Sequence, residues 1–456
     1  MLGDERSIAR GAATAAELAE AGVVAVAFSY IDNSGIGRMK GVPVGRLSEA
    51  AAWGVGMSPV FDAFLLDDSI TASPSAGGPV GDLCLVPDLD QLVVLAAEPG
   101  WAWVPVDRWE QSGVRHRQCQ RELVRSVVAR AAERGLHARM AFEVEWMLSV
   151  GFGDEFVAAT TASAYGTNRV VELSEYCVDL LRALSAQGIE VLQIHPEYAV
   201  GQFELSVAAA DPLTAADRTL LVRQTIRAVS HRHGLHPSFA PAAFVGGVGN
   251  GMHLHVSVWD DDENLLQGGD GPHGLTTRGE AGLAGVLTSL PALLAVTAPS
   301  VASYLRLQPQ RWAGVYRCWG LENREAAVRL VTGPEGASTG AANAEVKPID
   351  PTASPYLVAA CVLAASLAGV DAEARLPGEV TVDPASLDEA ERAALGVERL
   401  PTSLEEAVAQ LEASDVLRHA LGPELHETLV AVRRAECQLF ADATDEEVVA
   451  ATLWRH

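Results

Sequence analysis

Glu143-Val144-Glu145, Gln202-Phe203-Glu204, His253-Leu254-His255 and Glu345-Val346-Lys347 share one pattern: two polar, mostly ionisable residues at i and i+2 around an apolar one. On a β-strand such residues point to one face, about 7 Å apart. Four such strands turned toward one cavity pool several carboxylates and two imidazoles, and carboxylates at that density stay ionised only with cations among them. A salt-bridged edge strand would explain Glu143 and Glu145 alone, and an isolated His-x-His is more often a core or surface pair. The weight shifts with His195-Pro196-Glu197, which continues through Gly201 to Glu204 and adds two acids across a turn. Hard oxygen donors in this number suit Mg²⁺ or Mn²⁺ better than zinc. Arg306, Arg311, Arg317, Arg324 and Arg329 fall in one short segment of a chain that has only 33 Lys and Arg. They read either as a solvated basic face or as a grip on an anion, and guanidinium forks suit phosphate. Metals and arginines around one cavity are what phosphoryl transfer requires. The glycine-rich run Gly246 to Gly251 enters the His253 strand, where glycines let backbone approach a ligand. It lacks the ending of a P-loop and the helix of a dinucleotide fingerprint.

The elements that must carry these residues are legible in outline. The 456 residues are 49% apolar and 20% charged, enough for two domains with ample core. A net charge of −26 argues against nucleic acid and anionic membrane as partners. The six cysteines are scattered and read as reduced thiols. No signal-peptide pattern opens the chain, and the apolar run Tyr356–Val370 is too short to span a bilayer, so a cytoplasmic protein is expected. The patterning predicts a helix over 14–21, a strand over Val23–Tyr30, a turn at Asp32-Asn33-Ser34-Gly35 and a Gly/Pro/Ser-rich loop over Ser73–Gly81. It further predicts a helix from Arg117 to Gly135, a strand over 138–149, helices over 174–187 and 214–233, a surface excursion over Asp371–Leu400, and a helix opened by a capping box at Ser403 and Glu406.

Taken in order, several motifs resemble the glutamine synthetase superfamily. They are Glu143-x-Glu145, His195-Pro196-Glu197 through Glu204, Gly249-Asn250-Gly251-Met252-His253-x-His255-x-Ser257, Tyr304-x-Arg306, Asn323-Arg324-Glu325 through Arg329, and Glu345-x-Lys347 followed by Ser354-Pro355-Tyr356-Leu357. The resemblance implies an α+β protein: a small β-grasp domain over 1–112 and a catalytic domain over 113–456 whose curved antiparallel sheet forms a metal-lined funnel. It implies ATP and two or more Mg²⁺ or Mn²⁺ ions, one held by Glu145, Glu197 and Glu204 and the other by Glu143, His253 and Glu345. Arg324 and Arg329 would grip phosphate, with Arg324 steadying the transferring group. His255 and Ser257 would line the nucleotide side, and Arg306 and Gly249 would orient glutamate. Lys347 stands where an arginine usually takes a substrate carboxylate. Asp67 or Asp68, with Ser69, resembles a latch offered to a neighbouring subunit of a stacked-ring homo-dodecamer; Asp68 is the expected catalytic acid. Tyr165 would line the amine pocket.

Three departures bear on the substrate. Members that use ammonium place a glutamate on a flap between the counterparts of Arg306 and Arg324; here the position holds Trp312, and an indole can wall an apolar pocket or face a cation. Val248 stands for a usual asparagine, and Lys347 removes bidentate carboxylate recognition. The expected reaction is therefore ligation of a small primary amine, ethanolamine first among them, to the γ-carboxylate of glutamate through γ-glutamyl phosphate. Alternatives are an ordinary glutamine synthetase, a polyamine-specific ligase, a ligase for another carboxylic acid, and a non-catalytic ring protein.

Overall fold

The computed structural model describes residues 2–76, 78–334 and 340–456. Gly77 of the predicted loop lies outside them. The N-terminal strands build one sheet in the order Gly37–Pro43, Ala25–Ile31, Trp101–Glu110, Leu83–Pro87, Val55–Met57, with Val93–Val94 also on Trp101–Glu110. Ala25–Ile31 and Trp101–Glu110 run parallel; the other pairs are antiparallel. The first helix, Glu5–Glu20, is longer than its apolar stripe predicts because Asp4 caps it, accepting from Ser7 N. The Asp32 turn forms as expected, with Asp32 Oδ1 accepting from Ser34 N and Ile36 N at 2.9 Å each. It is not a surface turn. Asp32, Asn33 and Ser34 are buried, and a Cβ on Gly35 would sit 1.8 Å from Thr352 O, so the hairpin tip presses against the second half of the chain.

The expected single strand over 138–149 is two strands in two sheets. Leu136–Phe142 pairs with Leu254–Asp260, and Val144–Val150 pairs with Gln202–Val207 and Leu235–Ser238. Glu143 is the residue at which the chain changes sheet. One sheet runs Leu235–Ser238, Val144–Val150, Gln202–Val207, Val191–Pro196. The other runs Glu263–Asn264, Leu254–Asp260, Asn343–Val346, Ala326–Val331, Tyr316–Leu321, Glu398–Arg399. Pairing is antiparallel except between Tyr316–Leu321 and Ala326–Val331, which run parallel. The curved sheet and helices make an α+β architecture.

Helices Gln120–Ala132, Pro212–Arg232, Thr277–Thr297 and Pro355–Asp371 pack behind these sheets in one continuous apolar core. Thr277–Thr297 and Pro355–Asp371 approach so closely that a Cβ on Gly285 would lie 2.3 Å from Ala365 O. Thr277–Thr297 is the one helix among the described residues long and apolar enough to cross a membrane, and 83% of its apolar window is buried inside the protein. The capping box at Ser403 is half realised: Ser403 Oγ accepts from Glu406 N, while the Glu406 carboxylate turns to Thr402. Part of the 371–400 excursion is anchored, with Val380 buried against Cys318 and Ala326. All six cysteines are free thiols.

One buried arginine ties the first sheet to the helices. The Arg121 guanidinium lies 2.8 Å from Asp107, 2.9 Å from Asp88 and 2.8 Å from Asp217, which also accepts from Tyr356 OH at 2.5 Å. Removing one member of a buried ionic cluster leaves the rest desolvated and unpaired. Arg121→Met should therefore cost about 3–5 kcal/mol at neutral pH, read from the chemical denaturation midpoint. A cost of about 1 kcal/mol or less would mean that the cluster is solvated and does not join the layers.

Candidate active site

Strand register brings the ionisable residues together. Glu204 lies directly opposite Glu145 on one side and His195 on the other. Glu345 lies opposite His255 and Arg329. Where the two sheets meet, Glu143 N donates to His253 O at 3.0 Å and Glu145 N to Gly251 O at 3.1 Å, so 143–145 and 251–253 run side by side across the seam. Gly251 is glycine for a visible reason: a Cβ there would meet Arg306 Nη2, His253 Nε2 and Glu145 Oε1 at 2.6–2.9 Å.

Most of the sequence-predicted residues line one cavity of about 830 Å³: Glu143, Glu145, Tyr165, Glu197, Glu204, Gly249, His253, Arg306, Trp312, Arg324, Arg329, Glu345 and Lys347. His255 and Ser257 line a second groove of about 520 Å³ that shares Glu143 and Gln193 with the first. Asp68 is in neither. It sits on the N-terminal region, half exposed, with Arg38 Nη1 2.8 Å from its carboxylate, while Asp67 accepts from Ser69. Arg317 also leaves the arginine group, pairing with Glu398 at the sheet edge.

Ligand-type atoms gather in two tight groups. His195, Glu197 and Glu204 offer ligand atoms within 4.8 Å of one another, as do Glu143, His255 and Glu345. His195 joins the expected Glu197 and Glu204 there. One Glu145 oxygen is engaged by Gln202 Nε2 and Gly251 N, each at 2.8 Å. His255 likewise joins the expected Glu143 and Glu345. His253 Nδ1 does approach Glu345 at 3.2 Å and Glu143 at 3.5 Å, but its Nε2 is engaged by Arg306 Nη2 at 3.1 Å. His195 repeats the i, i+2 pattern with Gln193 on strand Val191–Pro196, so the same period would have found it. Tyr198 also lines the cavity, and its sequence gives no such signal.

The electrostatics separate the two halves. Burial raises the carboxyls of Glu145, Glu197 and Glu204, and mutual repulsion adds to it: Glu197 acts on Glu145, Glu204 on Glu197, and both Glu143 and Glu145 on Glu204. At Glu143 and Glu345 burial also pushes up but is overcome, by the His253 and His255 imidazoles at Glu143 and by Lys347 and His253 at Glu345. Both end well below the usual range. His255 Nε2 lies 3.1 Å from Glu143 Oε1 but is buried without a hydrogen bond, two ligand atoms presented side by side. Oxygen-rich sets with one imidazole each fit a hard divalent ion. Lys347, expected to face a substrate carboxylate, instead holds Glu345 Oε1 at 2.8 Å; Arg329 holds the other oxygen at 3.1 Å. Arg306 is buried with Nη1 unpartnered within the protein. Tyr165 donates to both Glu197 oxygens, at 2.7 and 2.8 Å, and stacks on His195. Trp312 is 44% exposed at the rim, beneath the Arg324 guanidinium and edge-on to Tyr198.

Residues 10–116 match the glutamine synthetase N-terminal domain family and residues 117–450 the glutamine synthetase catalytic domain family. The chain is 54% identical over 452 residues to the γ-glutamylpolyamine synthetase GlnA3 of Streptomyces coelicolor, covering 98% of this chain and 97% of that protein. It is 34% identical to the glutamine synthetase of Halobacterium salinarum, over 78% and 79% of the two chains. A crystal structure described as a novel glutamine synthase homolog superposes with a TM-score of 0.83 at 34% identity, covering 94% of this chain and 97% of that one. A GmaS/ADP complex superposes at 0.82 with 29% identity, covering 94% and 96%. The chain belongs to the glutamine synthetase family. It is an ATP-dependent ligase that forms C–N bonds, and it resembles the γ-glutamyl-amine ligases.

Two outcomes follow from the crowded carboxylates. Glu204→Gln removes the charge facing Glu145, so the metal-free variant should melt no lower than the unmodified protein, while its stabilisation by added Mn²⁺ falls sharply. A variant that keeps the full Mn²⁺-induced shift would place the ion elsewhere. Separately, His195 is pushed up from 6.5 to about 9 by its bond to Glu204. Burial pushes His255 down, but Glu143 more than reverses this, to about 9. The folded chain holds these protons after the unfolded chain has released them, so their stabilisation is complete below pH 6.5 and disappears as pH rises through 9. In chelator the melting temperature should fall across that window, and saturating Mn²⁺ should flatten the slope; a rise in chelator would refute the assignment.

Proposed function

We propose that this protein joins a polyamine, through one primary amine, to the γ-carboxylate of glutamate, using ATP. The identity to a γ-glutamylpolyamine synthetase over nearly the whole chain carries this reading. It takes the place of ethanolamine, the small monoamine expected from Trp312 standing where a glutamate is usual. Carboxylates are not the only groups that receive a cation: indole and phenol faces do so as well, and Trp312 and Tyr198 present both at the cavity rim.

In this reading the γ-carboxylate of glutamate attacks the terminal phosphorus of ATP, ADP leaves, and the amine then displaces phosphate from γ-glutamyl phosphate. Arg306, with its free Nη1 in the buried floor, takes the α-carboxylate of glutamate. Arg329 and Arg324 flank the transferring phosphoryl group and neutralise its charge. Divalent ions, held by His195, Glu197 and Glu204 and by Glu143, His255 and Glu345, would draw the phosphates and glutamate together. Tyr165 and Glu197, hydrogen-bonded to each other, stand where the incoming ammonium group loses its proton. Asp68, outside this chain's cavity, belongs to the site of an adjoining copy in a ring assembly.

Phosphate release with ATP, glutamate and a panel of amines tests the proposal. Putrescine, cadaverine, spermidine or spermine should give kcat/KM at least about tenfold above ethanolamine, a difference of roughly 1.4 kcal/mol in transition-state binding. Turnover with ammonium alone, or better turnover with ethanolamine than with any polyamine, would overturn it.

A further inference from the structure

The rim of the cavity contains a strained loop with an unusual anchor. Gln310 and Trp312 both take left-handed backbone angles, φ 58° and 54°, without being glycine. Non-glycine residues stay in that region only where their surroundings hold them, and such residues cluster at binding sites. Trp312 is not held by core packing, because its side chain is 44% exposed. The backbone must therefore set its position.

Three partners hold that loop. Trp312 N donates to Glu325 Oε1 at 3.0 Å, and the Gln310 amide faces the same carboxylate. Gln310 Nε2 donates to Asp383 Oδ2 at 3.1 Å, and Arg311 Nη2 donates to Gly246 O at 3.0 Å. Of these partners only Glu325 reaches the main chain of the strained residues. Glu325 does not line the cavity. It sits beside Arg324, whose guanidinium lies 5.7 Å from the Trp312 ring. Its own turn is fixed from behind: Asn323 Oδ1 accepts from Glu325 N at 3.1 Å, and Asn323 Nδ2 donates to Val380 O at 2.7 Å and Val382 O at 3.0 Å.

We propose that Glu325 is a positioning residue for amine specificity: its carboxylate clamps the Gln310–Trp312 loop so that the indole stands over the amine entrance between Arg324 and Tyr198. The inference rests on the amine-ligase reading and adds to it the residue that sets the wall of the amine subsite. Arg324 faces the phosphate side and its neighbour Glu325 holds the amine-side indole, two residues of one short turn serving two substrates. With the indole released, the entrance stands open to water, and water can take γ-glutamyl phosphate in place of the amine. Attack of water on the acyl carbon breaks the same C–O bond, returns glutamate and phosphate, and consumes ATP with no amide formed.

The test compares Glu325→Ala and Glu325→Gln by steady-state kinetics, with ADP and amide product measured together. Glu325→Ala should raise the polyamine KM roughly tenfold and yield more ADP than amide, with the KM values for ATP and glutamate and the melting temperature unchanged. Glu325→Gln keeps an oxygen acceptor for the Trp312 amide and should stay close to the unmodified enzyme. Adding Gln310→Gly to Glu325→Ala relieves one left-handed residue and should recover part of the polyamine KM. An unchanged polyamine KM in Glu325→Ala overturns the clamp, as does an equal rise in all three KM values or a failure of the glutamine variant to retain function. If the unmodified enzyme uses ammonium instead of polyamines, the substrate reading fails, and the same split between ammonium and ATP KM still decides the clamp. Inactivity with every amine overturns both.

Discussion

Glu145 and Glu204 are buried and lie directly opposite each other on paired strands. Like charges in that position oppose pairing, yet neither residue can withdraw without breaking the ladder that carries it. The surrounding residues divide the load. His195 approaches Glu204 from the next strand, Gln202 and the Gly251 amide satisfy Glu145, and Arg306 lies close across Gly251. These partners leave the carboxyls raised, so the cluster remains short of positive charge. The fold thus maintains a deficit that a divalent ion corrects, and metal affinity and strand register are one property of the sheet.

The second cluster has the opposite balance. Glu345 is surrounded by Lys347, Arg329 and His253, and Glu143 by two imidazoles, and both carboxyls sit low. Two fixed cations, Lys347 and Arg329, stand on this side, which favours an anionic neighbour. A polyphosphate chain supplies one, and its own charge allows a divalent ion to join without displacing the protein's cations. The two halves meet at Glu143, the residue where the chain passes between sheets. A gradient from anion-rich to cation-rich wall over one cavity is the arrangement that orients a substrate whose two ends differ in charge.

Period-2 spacing made the acids and imidazoles legible because strand geometry alone decides which of them share a face. What that spacing could not reveal was the break at Glu143. A strand crossing between sheets and a continuous strand have the same alternation, so 138–149 read as one element. Nor could spacing show that the second nitrogen of His253 is taken by Arg306, more than fifty residues further along the chain. The Asp32 turn was legible as a turn but not as a buried one, because only the packing of Gly35 on Thr352 decides that. Order of motifs carried the family, since that order is a property of the whole chain. Asp68 could be named but not placed, because its expected role belongs to a neighbouring copy.

The amine side shows why counting charges at single positions misleads. Trp312 stands where a glutamate is usual, which by charge alone disfavours a substrate with several positive charges. The structure puts that indole at the rim, edge-on to Tyr198 and beneath Arg324, on a loop whose backbone a carboxylate holds. The acid of this region is therefore one step behind the surface, spent on shape instead of on the substrate's charge. Aromatic faces attract a cation less strongly than a carboxylate does but over a broader range of positions. A rim of this kind tolerates amines of different length, provided that one end reaches the acyl group and the rest extends outward. In the proposed reaction, selectivity for an organic amine over ammonium would come from the apolar body of the amine against the indole, an interaction ammonium cannot make.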